Sequence, residues 1–200
     1  MIARTLFLGI LVAPLAVIAQ WGFSRLLTDL SPGYQISGSL LFFLWAAFVE
    51  EYVKYLAVKF SVLHSPAFDE PTDAMIYMIS ASLGFAAIEN VLVLLQAIPN
   101  GAQAAIQIWF LRFAGATLLH AVSSALLGYF LGLAWFYSHH GRGLVAVGLA
   151  AATFAHFVFN VSLLVANGRS LGFAYSSAAL MILVVLISLL FARLRKRMVC

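Results

Sequence analysis

Glu50 and Glu51 stand side by side in a long apolar run, and Lys54 follows one helical turn later. Glu89, His120, His156 and Asn160 occur further along, each also in an apolar setting. These residue types can hydrolyse a bond. A buried carboxylate can take a proton from water as a general base, and imidazoles can orient that water or pass the proton on. An amide can donate to the oxyanion that forms. The same groups can instead relay protons through a membrane, or hold a metal ion.

Spacing divides their roles. Glu50 and Lys54 lie four apart, on one helix face and in the favourable acid-then-base order. Glu51 is rotated by about 100° from Glu50, so the two carboxylates face different neighbours. His156 and Asn160 share a face, and His120 shares one with Thr117 and Ser124. Glu89 precedes Asn90 and follows Gly84-Phe85-Ala86-Ala87, where small residues let helices approach closely. His64, His139 and His140 fall in polar breaks and stand outside this set.

The setting makes these groups costly. The chain has 200 residues, 64% hydrophobic and 9% charged. That is too apolar to offer water a solvated surface, so the expected solvent is a bilayer. At a helix centre each ionisable group costs roughly 2.5–3.5 kcal/mol, so Glu50, Glu51, Lys54 and Glu89 together cost on the order of 10 kcal/mol unpartnered. They must therefore face one another inside a bundle. Bland roles remain for each. The glutamate pair can be an ion pair with Lys54 or Arg112, Glu89 and Asn160 can be helix glue, and the histidines can be satisfied core residues.

The elements that must position them are helices. Six apolar segments approach the roughly 20 residues needed to cross a bilayer. Their cores lie near 6–23, 37–60, 74–96, 112–137, 144–166 and 171–192. Breaks fall at Ser31-Pro32-Gly33, from His64 to Asp73, at Pro99-Asn100-Gly101, from His139 to Gly143, and from Asn167 to Ser170. Residues 102–111 are apolar but surplus, either an interfacial helix or an extension of the fourth span. The expectation is an all-α polytopic bundle of about six spans, one transmembrane domain over residues 1–200.

Lysine and arginine bias places both termini in the cytoplasm. Arg4, Lys59, Arg142, Arg193, Arg195, Lys196 and Arg197 then lie inside, and only Arg25 and Arg169 outside. In that topology Glu50, Glu51 and His156 sit near mid-membrane, and Glu89, His120 and Asn160 in the outer half. The first segment also resembles a signal peptide ending near Ala19, although a retained helix is favoured. The net charge of +4 calls for no nucleic-acid partner, and much of it is the basic tail. The single cysteine, Cys200, allows neither an internal disulfide nor a Cys-rich metal site, and it lies outside a C-a-a-X context. No convincing internal repeat is present.

Glu50-Glu51-Tyr-Val-Lys54 resembles the E-E-x-x-K motif of the PrsW-type intramembrane proteases. Asp69 to Tyr77, followed by Gly84 to Asn90, is similar to that family's second block. Arg112 with His120 resembles the third, and His156-Phe-Val-Phe-Asn160 the last. The four blocks occur in order over about residues 48–162. Ala74-Met75 and Met78 depart from the glycines expected after Asp73 and Tyr77.

The resemblance implies a multi-span protease related to the CAAX prenyl-protein processing enzymes, in a bacterial inner membrane. The family's namesake cuts a membrane-bound anti-sigma factor on the extracytoplasmic side. The implied partners are the bilayer and a membrane-anchored or lipid-modified protein substrate. Two mechanisms fit. Without metal, one glutamate of the pair activates water, with Glu50 slightly favoured, while His120 and His156 orient water and Asn160 donates to the oxyanion. With one zinc ion, Glu89, His120 and His156 hold the metal and Glu50 or Glu51 is the base. Lys54 and Arg112 are supporting residues in both. The rival readings are a proton-coupled carrier or channel using the same set, and a non-catalytic membrane scaffold.

Overall fold

A computed structural model describes residues 1–31, 38–63, 65–166 and 170–197. Among these residues seven α-helices form: α1 Ile2–Leu30, α2 Leu40–Ser61, α3 Asp73–Ala97, α4 Ala102–Ala114, α5 Ala116–Phe136, α6 Gly141–Ala166 and α7 Ser170–Arg197. No strand occurs among the described residues. The expected breaks at Pro32-Gly33, His64 and Asn167 to Arg169 lie outside the described residues, as does Cys200.

By length and composition, five helical stretches can cross a membrane: Ile2–Leu30, Asp73–Asn100, Ala102–Phe136, Gly141–Val165 and Tyr175–Arg197. The 22 residues of α2 also reach roughly 33 Å at the α-helical rise. It differs from the others in carrying Glu50, Glu51, Lys54 and Lys59.

Local sequence explains the ends. Ser39 caps α2 by accepting the Phe42 N–H at 3.2 Å. Ile98–Asn100 forms one 3₁₀ turn after α3, and Gly101 at φ +100° turns the chain into α4. The surplus segment is a helix of its own. It meets α5 at Gly115, the only residue between them. The loop before α3 is pinned by Tyr77, whose hydroxyl donates to the Ala67 carbonyl at 2.8 Å.

Glycines let the helices approach until backbones touch. A Cβ on Gly9 of α1 would collide with the Ala81 carbonyl of α3, and a Cβ on Gly84 would collide with the Leu6 carbonyl. A Cβ on Gly128 of α5 would lie 2.7 Å from the Met75 Cα, so α5 packs on one of the departures from the family pattern. Larger side chains at Gly9 or Gly84 must push α1 off α3. Gly9→Leu and Gly84→Leu are each expected to cost about 1–3 kcal/mol or more. Thermal unfolding in detergent checks this, and unchanged midpoints would contradict the contact.

Three apolar clusters surround the centre of the bundle. Ala13 and Ala16 of α1 pack with Val49 and Val53 of α2 and Phe85 of α3. Val58 of α2 and Val62 just past its end pack with Met78, Leu127 and Ala152 of α3, α5 and α6. Met75, Leu119 and Tyr129 meet Leu180, Ile187 and Leu194 of α7. The polar residues lie among these clusters.

Candidate active site

The centre is assembled by α1, α2, α3, α5 and α6, with α4 at its edge. Glu51, Lys54, His120 and His156 are all within 2% of full burial, and Glu50 is 7% exposed. The two glutamates face different neighbours. Glu51 is held on every side. Its Oε1 accepts from Lys54 Nζ at 2.9 Å, Ser123 Oγ at 2.9 Å and His156 Nδ1 at 3.0 Å. Its Oε2 accepts from Ser124 Oγ at 2.7 Å. Four donors on one carboxylate make it an anchor joining α2, α5 and α6.

Glu50 turns the other way. Its Oε1 accepts from Gln20 Nε2 of α1 at 2.9 Å. Its Oε2 is buried and has no hydrogen-bond partner among the described residues. That oxygen lies 3.5 Å from His156 Nε2 and 3.9 Å from His120 Nδ1. Of the pair, Glu50 is the carboxylate with an uncommitted oxygen.

One expectation is corrected. The i,i+4 spacing pairs Lys54 with Glu50, yet Lys54 bonds Glu51 at i,i+3. Both spacings bring side chains together on a helix. The choice falls to Glu51 because Ser123, Ser124 and His156 draw its carboxylate to the side that Lys54 shares. Arg112 also pairs with neither residue of the glutamate pair. Its Nη2 lies 2.8 Å from Glu89 Oε1, and its Nε donates to Asn90 Oδ1 at 3.1 Å.

The partners assign the imidazole protons. Lys54 Nζ lies 2.8 Å from His120 Nδ1. An ammonium only donates, so Nδ1 accepts and the ring proton sits on Nε2. From there it donates to Glu89 Oε2 at 2.6 Å. His156 donates through Nδ1 to Glu51, and its Nε2 faces Glu50. The two rings meet edge to face with centroids 5.0 Å apart.

Glu50, Glu51, Lys54, Glu89, His120 and His156 are thus brought into one contiguous set, with Arg112 behind Glu89. Asn160 shares a face with His156, is half-buried, and makes no hydrogen bond among the described residues. Sequence reasoning missed Gln20, Ser123 and Asn90 as members. The available signals were faint: a lone amide in an otherwise apolar helix, adjacent serines one turn after His120, and an amide beside Glu89. Gln20→Leu removes the one side-chain hydrogen bond that Glu50 accepts among the described residues. It is expected to lower turnover about ten- to a hundredfold, one charge-assisted hydrogen bond being roughly 1.5–3 kcal/mol. Turnover equal to wild type would contradict a role for Gln20.

A groove of about 620 Å³ runs between α1, α2 and α6, lined by Phe23, Trp45, Phe48, Ala150, Thr153 and Phe154 among others. Phe48 and Thr153 are two and three residues from Glu50 and His156, so the groove borders the helices that carry these two residues.

Comparison with known proteins identifies the family. The family model of the PrsW family intramembrane metalloproteases matches residues 1–190. The chain belongs to this family. The PrsW match takes in α1, so Gln20 lies within it. Relatives carry the name Protease PrsW. That of Geobacillus kaustophilus is 38% identical over 61% of this chain and 51% of its own length. That of Bacillus subtilis is 31% identical over 71% of this chain and 59% of its own. That of Halalkalibacterium halodurans is 28% identical over 82% and 70%. The chain thus spans about half the length of the first of these relatives. No solved structure matches it.

The PrsW family description names a metal, so the donors must be tested against one. Glu50, His120 and His156 each offer a ligand atom, and these atoms lie within 4.8 Å of one another. Two imidazoles and a carboxylate are a suitable set for zinc, with metal–ligand bonds near 2.0–2.2 Å. Glu50, rather than Glu89, is the carboxylate in this group. The fit fails at His120. Its Nδ1 is held by Lys54 and its Nε2 by Glu89. Only Glu50 Oε2 and His156 Nε2 remain, one donor short of the three protein ligands that catalytic zinc takes.

Proposed function

We propose that this chain is an intramembrane endopeptidase that hydrolyses peptide bonds of a membrane-anchored protein with water activated by Glu50. The observation that carries this reading is the contrast within the pair: Glu51 has four hydrogen-bond donors, while Glu50 keeps one oxygen uncommitted beside His156. Family membership supports the reaction class.

In this reading Glu50 Oε2 removes a proton from water as the water oxygen attacks the scissile carbonyl carbon. His156 Nε2, 3.5 Å away, orients that water. The Asn160 amide, on the same face of α6, donates to the oxyanion. When the carbon–nitrogen bond breaks, the proton held by Glu50 passes to the leaving amine, and the products are a carboxylate and an amine. Glu51 and Lys54 keep α2, α5 and α6 in register. Arg112 and Glu89 hold His120. The groove beside Phe48 and Thr153 admits an apolar stretch of the substrate to this face.

The expected setting is the cytoplasmic membrane of a bacterium, with both termini cytoplasmic and the centre at or just outside the midplane of the bilayer. An anti-sigma-factor-type substrate fits that side. A proton carrier needs ionisable groups strung along the membrane depth. The contiguity of Glu50, Glu51, Lys54, Glu89, His120 and His156 favours a reaction centre instead.

Co-expression with a panel of tagged single-span membrane proteins tests the reading. Wild type is expected to shorten at least one of them, and Glu50→Gln and His156→Ala to leave it whole. Shortening by all three alike would refute the assignment, and a scaffold would likewise be indifferent to the changes.

A further inference from the structure

We infer that Lys54 is the resident cation of this centre: its ammonium takes the His120 lone pair that a metal would need and fixes that ring as the Nε2–H tautomer. Lys54 is a positioning residue in this inference, acting through His120 and Glu51.

Three observations carry it. Lys54 is fully buried, and its Nζ is hemmed in by His120 Nδ1 at 2.8 Å, Glu51 Oε1 at 2.9 Å and the Phe85 ring at 4.7 Å. A cation so placed bonds a carboxylate, an imidazole lone pair and an aromatic face, which are three partners that favour positive charge. Second, the other His120 nitrogen is also committed, to Glu89 Oε2 at 2.6 Å, and Glu89 is in turn fixed by Arg112. The ring cannot turn to offer a nitrogen without breaking one of two charge-assisted bonds. Third, the nearby atoms still open, Glu50 Oε2 and His156 Nε2, are 3.5 Å apart. Zinc bonded to both would still need His120 Nδ1, where the ammonium already stands, and two cations that close repel strongly in a dry site.

The consequence is specific to one side chain. Lys54→Met keeps an unbranched stem and removes the charge. It frees His120 Nδ1 and completes a set of one carboxylate and two imidazoles. Removing one lysine should therefore create a zinc site where wild type has none. The readout is metal binding, so it does not depend on the chain being a protease. Failure here leaves the Glu50 hydrolysis reading standing, and failure of that reading leaves this one testable.

The experiment uses the full chain in detergent or nanodiscs, free of affinity histidines. His139→Ala and His140→Ala are built in, to remove exposed imidazoles near the α5–α6 turn. After dialysis against chelator, zinc is titrated and bound metal counted. The parent is expected to hold less than about a tenth of an equivalent. Lys54→Met is expected to hold about one, lost again when His120→Ala is added. Nitrogen NMR of ¹⁵N-histidine parent protein should show His120 as a neutral Nε2–H ring. If Lys54→Met does not fold, the parent's zinc count and the His120 tautomer decide. One equivalent of zinc on the parent that His120→Ala abolishes would overturn the inference, as would an Nδ1–H tautomer at His120. A folded Lys54→Met that gains no zinc would overturn the claim that lysine is what excludes the metal.

Discussion

Glu50→Gln is expected to cut peptide-bond cleavage by about 10²–10⁴-fold, the usual contribution of a positioned general base. Its unfolding midpoint should stay close to that of wild type. The structure explains why the two effects part company. Among the described residues the Glu50 side chain makes one hydrogen bond, to Gln20, and glutamine keeps an amide oxygen to accept it. Its other oxygen accepts no hydrogen bond among the described residues and meets the two imidazoles only at 3.5 and 3.9 Å, so little stability depends on it. What the substitution removes is a basic oxygen beside His156. The check is an initial-rate comparison on a cleaved membrane-anchored protein, with thermal unfolding on the same preparations. A Glu50→Gln enzyme within a few-fold of wild type would contradict the base assignment. A large stability loss would contradict the claim that Glu50 is structurally spare.

Glu51→Gln should behave in the opposite way. It leaves the Lys54 ammonium buried without its counter-ion, in a core where neither group is exposed. Breaking one partner of a buried pair costs about 3–5 kcal/mol, because the remaining charge is uncompensated. It also weakens the contacts to Ser123, Ser124 and His156 that tie α2 to α5 and α6. Glu51→Gln should therefore lower the unfolding midpoint well below that of Glu50→Gln. Lys54→Met in the same chain should recover part of the loss, since it removes the orphaned charge. The coupling is measured by a double-mutant cycle on thermal or denaturant unfolding. Equal stability of Glu51→Gln and wild type would contradict the anchor role. An additive double mutant would contradict the ion pair as the cause.

Much of this arrangement could be read from residue costs alone. Charged groups that are expensive in lipid must find one another, and Glu50, Glu51, Lys54, Glu89, His120 and His156 did. Helix ends were legible wherever proline or glycine forces a turn, as at Pro99 to Gly101. α4 was ambiguous because its apolar run is shorter than a span and only Gly115 parts it from α5. The pairings inside the site were not legible. A helix lets Lys54 reach either residue of the glutamate pair, and only the rotation of α5 and α6, which present Ser123, Ser124 and His156, decides for Glu51. Gln20 escaped notice because an amide costs less in an apolar helix than a charge and has no spacing signature. The carboxylate oxygen that faces both histidines was also hidden. Glu50 and Glu89 both suit a ligand set by type, and only the pairings with Arg112 and His120 show where Glu89 is engaged.

The most direct measurement of Glu50-activated hydrolysis uses the purified chain reconstituted in liposomes with a cleavable single-span protein, in water enriched in ¹⁸O. Mass spectrometry of the new C-terminus reports both the cut and the source of its oxygen. The expected result is a single ¹⁸O in the new carboxylate with wild type, a slower but equally labelled cut with Gln20→Leu, and product formed about 10²–10⁴-fold more slowly with Glu50→Gln. Product formed by Glu50→Gln at the wild-type rate, with the same label, would contradict it.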